Sequence, residues 1–142
     1  NQLNMKKLNL VLIAFFLTTV LVQAQEPITD AKHQDLLEKN PFNILYPKNF
    51  TEASAAYFDS AMKMYSNGPI KEKEAHLAAL ATSAATKCEY CIPFHIAQAK
   101  RLGATEDELK AAVQIAADVM RMSTMFYGNE FDLKEFKAML KN

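Results

Sequence analysis

Apolar residues in this chain recur at helical steps of three and four, and proline and glycine stand almost entirely between the stretches that do so. Alternating runs long enough for a half-buried strand are absent. The pattern restricts the fold to an all-α one. The first clear stretch, NFTEASAAYFDSAMKMYS, sets Phe50, Ala53, Tyr57, Ala61 and Met64 at helical spacing behind an Asn49–Glu52 cap-like start, and Gly68 with Pro69 ends it. A second helix is predicted over 70–86, with Leu77, Leu80, Ala81 and Ala84 on its apolar side and alanines enough for a neighbour to approach closely. A third begins around Cys88–Cys91 and stops at Gly103. Thr105 and Glu108 match a capping box for a fourth, whose apolar positions are Val113, Ile115, Ala116, Val119 and Met120 and which reaches about Tyr127. After the interruption GNEFD, Asp132 caps a last short amphipathic helix. Methionines at helical spacing in VMRMSTMF read as core or as contacts between subunits.

Upstream, Lys6 and Lys7 precede an uncharged apolar run from Leu8 to Val22, with Val22 and Ala24 at the −3 and −1 positions of a cleavage site. That layout is a secretory signal peptide starting at Met5, cleaved after Ala24 or else retained as an N-terminal anchor, and the run is shorter than the ~20 residues that span a bilayer. The expected organisation is a leader over 1–24, an arm over 25–48 holding Pro27, Pro41, Pro47 and at most a short helix near Asp30–Lys39, and one helical domain over 49–142. His33, in the arm, reads as solvated. The exported chain, periplasmic or secreted, loses Lys6 and Lys7 from 16 basic groups and faces 16 acidic ones with 14, which points to no nucleic-acid partner.

The chemistry concentrates in KCEYCIPFH, residues 87–95, which holds both cysteines of the chain. As a structural staple, a disulfide closing so short a loop is worth only about 2 kcal/mol, against about 3 for a loop of 15 residues. As a metal site, Cys88, Cys91, His95 and His76 could form a Cys2His2 set for zinc, but no second CxxC or finger spacing accompanies them. Covalent haem would need His where Ile92 stands. The redox reading uses more of the sequence. Pro93 is best tolerated in a first helical turn, which puts Cys91 within that turn and Cys88 just before it. Unpaired N–H groups and the positive helix end then favour the Cys91 thiolate. His95, four residues after Cys91, shares its face and can take its proton. Cys88 is close enough to close the disulfide once Cys91 is oxidised.

The ordered set of an alanine-rich helix, C-x-Y-C-x-x-x-H, a helix ending in GAT and a capped acidic start to the next resembles the AhpD-like alkylhydroperoxidase branch of the carboxymuconolactone decarboxylase family, over about Ile70–Tyr127. The resemblance implies an all-α domain that oligomerises as trimers or their multiples. It implies hydroperoxide reduction with Cys91 as the cysteine that forms the sulfenic acid, Cys88 as its partner and proton donor, and His95 in a proton relay. The substrate is then a hydroperoxide or a small disulfide, an external dithiol restores the pair, and no metal, flavin or nucleotide cofactor is needed. The family's relay often includes a Glu twelve residues before the first cysteine, where this chain has His76, with Glu72 and Glu74 on the preceding turn. His76 is therefore a candidate relay or substrate-contacting group, or else a partly exposed helical histidine. Tyr127, in MFYG, lines the pocket or packs. Two alternatives remain at this stage: a lyase acting on a small organic acid, resembling carboxymuconolactone decarboxylase, and a zinc-stabilised binding module.

Overall fold

A computed structural model of the chain describes residues 27–141. The expected leader lies outside the described residues. The chain divides into two compact units, one ending at Ala55 and one beginning at Ala56. Among the described residues there are six α-helices, two 3-10 turns and no strand, the all-α class that the periodicity predicts.

In the first unit, α1 (Asp30–Lys39) is capped by the Thr29 hydroxyl, which accepts the Lys32 amide at 3.3 Å, and packs against a 3-10 turn over Pro41–Leu45. Asn43, wholly buried, ties them together: its amide donates to the Leu36 carbonyl at 2.9 Å and its oxygen accepts from Ser54 at 2.8 Å. His33 is half-buried rather than solvated, with Nδ1 at 2.9 Å from the Thr51 hydroxyl. That hydroxyl gives its own hydrogen to the Lys48 carbonyl, so the imidazole N–H is the donor. The expected Asn49–Glu52 cap is replaced by a second 3-10 turn, Lys48–Phe50, and α2 (Thr51–Asn67) starts from it, while Glu52 pairs with Lys32 instead.

The predicted apolar face of α2 also turns out differently, since Phe50, Tyr57 and Met64 are exposed. The polar bonds of Thr51 and Ser54 turn those residues inward and rotate the helix away from the hydrophobic pattern. At its end Gly68 is obligatory for a steric reason, because a Cβ there would lie 2.2 Å from the Met64 carbonyl oxygen.

The second unit holds the rest of α2, then α3 (Glu72–Ala85), α4 (Cys91–Arg101), α5 (Glu106–Gly128) and α6 (Leu133–Met139). Packing of α3 on α4 and α5 forms its centre. Leu80, Ala99, Leu109 and Ala112 are buried there, with Leu77, Ile92, Ile96 and Ala104 packed around them. Burying a side chain the size of Leu80 contributes about 2 kcal/mol, and the small Ala99 and Ala112 let the backbones come close. Both expected caps form: Thr105 and Glu108 exchange bonds of 3.1 and 2.7 Å, and Asp132 accepts the Glu135 amide at 2.8 Å. Lys73 reaches from α3 to Glu108 at 2.6 Å, joining the starts of α3 and α5.

The apolar side expected for α5 is only partly turned inward. Ala116 is buried, whereas Val113, Ile115, Val119 and Met120 are exposed, as are Met122 and Met125. These methionines are therefore not core residues. The face that meets α3 is the Leu109–Ala112–Ala116 line, a three- and four-residue progression that leaves Val113 and Ile115 to either side. Near its end Phe126 packs against Phe131 and Phe136, holding α6 to α5.

Candidate functional site

The CxxC is presented by two successive backbone devices. At the end of α3, Lys87 adopts the left-handed conformation, with φ 57°, and gives its amide to the Ala84 carbonyl at 3.2 Å; the Cys88 amide bonds the Ser83 carbonyl at 2.9 Å. This is the Schellman stop that usually employs glycine, built here on a lysine. It turns the chain so that Cys88 leaves α3 at once and α4 opens three residues later on Cys91. Pro93 is the third residue of α4, where its missing N–H interrupts no helical bond. The far end of α4 uses the same motif with Gly103 at φ 84°, Gly103 bonding Lys100 and Ala104 bonding Ala99, each at 2.9 Å.

Cys88 and Cys91 are joined as a disulfide, with Cα atoms 5.3 Å apart, and both are half-buried. The Cys91 amide, the first of α4, points at Cys88 Sγ from 3.2 Å. The positive end of the helix therefore serves both sulfurs, Cys91 by its place in the first turn and Cys88 by a direct N–H contact. Tyr90, between them, stands out into solvent.

His95 lies one turn into α4 and keeps 9% of its surface exposed; His76, on α3, keeps 0%. The alternative of a partly exposed helical His76 is thus not what the fold adopts. The two imidazoles face each other with Nδ1 to Nδ1 at 3.0 Å. Tyr65, near the end of α2, stacks on His76 with ring centroids 4.6 Å apart and planes within 12°, and lies 5.7 Å from His95. Phe94 meets both histidines edge-on. His76 Nε2 is buried and has no hydrogen-bond partner in the protein.

Burial pushes both histidines below the ordinary imidazole range. At His76 the Glu72 carboxylate opposes this and Arg101 reinforces it; at His95 the neighbouring His76 adds to it. Glu72 and Arg101 are themselves paired at 3.1 Å, so their fields at His76 largely offset each other. The pair is accordingly neutral at neutral pH, a state in which one imidazole can donate and the other accept.

Of the four residues singled out from the sequence, the fold joins Cys88 to Cys91 directly and His76 to His95 directly, and the α4 register sets His95 one turn from Cys91. Tyr65 was not singled out. It lies eleven residues before His76 on another helix, one position from the apolar series that the spacing picks out, so no short-range signal marks it. It also lines an apolar cleft of about 380 Å³ with Met64, Pro69, Ile70, Ala75 and Ala78. Tyr127 neither lines this site nor packs, being 84% exposed. Among the described residues, no group of three or more His, Cys, Asp or Glu is disposed to hold a metal ion, and no helix is long and apolar enough to cross a membrane.

A family model described as the carboxymuconolactone decarboxylase family matches residues 50–128, a span that contains Tyr65, His76, both cysteines and His95. The chain is also similar to a protein of Paracoccus denitrificans titled "Uncharacterized protein 4 in cox locus", 25% identical over 75 residues, which are 53% of this chain and 68% of that one. No solved structure matches it.

Proposed function

We propose, from the premise that this chain belongs to the carboxymuconolactone decarboxylase family, that it is a thiol-dependent peroxidase and disulfide oxidoreductase of the AhpD-like kind. The observation that carries the reading is a Cys88–Cys91 pair able to close as a disulfide at a helix start, one turn from a neutral buried histidine. In the reduced protein His95 takes the Cys91 thiol proton, and the thiolate attacks one peroxide oxygen. The O–O bond breaks, the alkoxide leaves and is protonated, and Cys91 becomes a sulfenic acid. The Cys88 thiol then displaces water from that sulfur to form the disulfide. An external dithiol reopens it. The Cys91 amide aimed at Cys88 Sγ suits Cys88 as the leaving thiolate in that last step, since lower basicity speeds departure.

The chain works, in this reading, as an exported protein after cleavage near Ala24, and as a trimer or a multiple of one. The exposed Val113, Ile115, Val119 and Met120 on α5 support association with further copies of the chain. Family membership also fits a decarboxylase-like lyase, for which the neutral histidine pair would supply acid and base.

Thiol counting before and after one equivalent of cumene hydroperoxide decides between them. Loss of both thiols per peroxide consumed, abolished in Cys91→Ser, is the expected result. Hydroperoxide turnover persisting in Cys91→Ser removes Cys91 from the nucleophile's role, and untouched thiols in the unmodified protein point to the lyase.

A further inference from the structure

The histidine pair and the cysteine turn border the same apolar cleft. It measures about 380 Å³ and is lined by Met64 and Tyr65 at the end of α2, by Ile70 in the connection that follows, and by Ala75, Ala79 and Thr82 on α3. From Ala75 to Thr82 the α3 wall is seven residues long, about 10 Å along the helix. Ala75 directly precedes His76, over which Tyr65 is stacked with ring centroids 4.6 Å apart. Tyr65 also comes within 5.7 Å of His95, one turn from Cys91. At the other end Thr82 is followed by Ser83, whose carbonyl accepts the Cys88 amide at 2.9 Å. A molecule lying along the cleft therefore has the histidines near one end and the turn that carries Cys88 near the other.

The lining sets the chemistry of what fits. None of the residues around the cleft is charged. The Thr82 hydroxyl gives its hydrogen to the Ala78 carbonyl at 3.0 Å, whereas no bond among the described residues engages the Tyr65 O–H. A suitable occupant has an apolar body and an oxygen that can accept one hydrogen bond; a carboxylate or an ammonium group would lose its water with no partner in return. The volume is at the small end of the ~300–1,000 Å³ typical of ligand pockets, so the body is compact. Met64, long and polarisable, lets the wall adapt to its shape. Clefts on the other flanks of α3 differ. One is lined by Leu80 and Ile96 with Lys100, Glu106 and Lys110, another by Leu77 and Ala81 with Glu108, and Tyr65 borders neither.

We propose that this cleft is the subsite for the organic group of the substrate, that it selects uncharged hydroperoxides with a compact aryl or branched-alkyl group over hydrogen peroxide, and that Tyr65, Ile70 and Ala79 determine the preference. This rests on the peroxidase reading for the reacting group, and deepens it by stating which hydroperoxides the site admits and which side chains select them. Hydrogen peroxide has no group with which to fill the cleft. A fatty acid hydroperoxide has a chain too long for it and a carboxylate that nothing in the lining pairs.

The alcohol 2-phenyl-2-propanol, the reduced form of cumene hydroperoxide, probes the cleft without any reaction. Added to the unmodified full chain with its disulfide closed, it should shift the methyl signals of Met64, Ile70 and Ala79 in ¹H–¹³C NMR, saturably, and leave those of Val113 and Ile115 in place. Absence of a saturable shift, or one centred on Val113 or Ile115, overturns the subsite. Signals of Met64 and Ile70 that move with protein concentration rather than with the alcohol overturn it too, since the cleft is then a contact between copies of the chain. The second arm is the ratio of kcat/KM for thiol loss with cumene hydroperoxide to that with hydrogen peroxide, each divided by its rate with free dithiothreitol. The ratio should be about 100, the discrimination that an apolar pocket reaches. Ala79→Leu, which narrows the cleft, and Ile70→Glu, which sets a carboxylate in its wall at a position 57% exposed, should each lower it about tenfold or more. A ratio near one in the unmodified protein, or an unchanged ratio in both variants, overturns the proposal and leaves the peroxidase reading standing. If neither peroxide consumes thiols, that reading falls, and the alcohol titration alone decides the cleft.

Discussion

Mild acidification should destabilise this protein through His76 and His95 specifically. Both are held below 6.5, the value of a solvated imidazole, chiefly by burial. As pH falls through 6.5 the unfolded chain takes up a proton at each before the native chain does. The unfolded state then binds more protons, so stability is complete above 6.5 and declines below it until the native values are reached. One pH unit below the unfolded value, a histidine that stays neutral loses about 1.4 kcal/mol of folding free energy, and two give a ceiling of about 3 kcal/mol. That is a large part of the ~5–15 kcal/mol that holds a domain together. The three carboxylates paired with lysines act below the window. Asp30, Glu106 and Glu108 are held low by Lys48, Lys100 and Lys73, so their contributions disappear only as pH falls below 3.8 or 4.5 toward their native values.

Urea unfolding of the disulfide-intact protein, followed by far-UV circular dichroism from about pH 7.5 to about 5.5, reads the slope as protons taken up on unfolding. His76→Leu should reduce that slope, because it removes one of the two histidines held below 6.5. Its stability at neutral pH will also fall, because His95 Nδ1 loses its partner, but the slope is independent of that offset. Flat stability across the window, or equal slopes in the two proteins, refutes the assignment of a neutral buried pair.

Tyr65→Ala should open His76 to water and raise its NMR titration midpoint toward 6.5, whereas Tyr65→Phe, which keeps the stacked ring, should leave it low; equal midpoints in both variants would remove Tyr65 as the seal. Leu80→Ala should cost about 3 kcal/mol in chemical unfolding, because Leu80 lies at the α3–α4–α5 contact with no exposed surface to relax into. Lys87→Gly should gain about 1 kcal/mol by relieving a left-handed lysine at a position suited to glycine; a loss instead would mean that the lysine side chain offsets the strain.

Several features of the site are readable along the chain because their causes act within one helical turn. Pro93 marks the first turn of α4, Gly103 its stop, Thr105 with Glu108 the start of α5, and the step from Cys91 to His95 a shared face. Each needs only neighbours three to five residues away. Lys87 escaped such a reading because its left-handed turn replaces the usual glycine with a residue that gives no composition cue. The inward face of α2 escaped it for another reason: buried polar bonds from Thr51 and Ser54 outweighed the periodicity of Phe50, Tyr57 and Met64. On α5 the hydrophobic pattern is wider than the single face that α3 covers, so periodicity could not say which part of it becomes core.

By itself, the amino-acid sequence determined the helical class, the cysteine pair at a helix start and a histidine one turn beyond it, since propensity, capping and helical register are local. Only tertiary structure decided that His76 is a buried partner of His95. The two lie 19 residues apart on different helices, and their contact depends on how closely α3 and α4 approach and on the ring of Tyr65 brought over them from α2. The same packing determines their protonation, because a histidine's charge follows the water and fields around it rather than its neighbours in the chain.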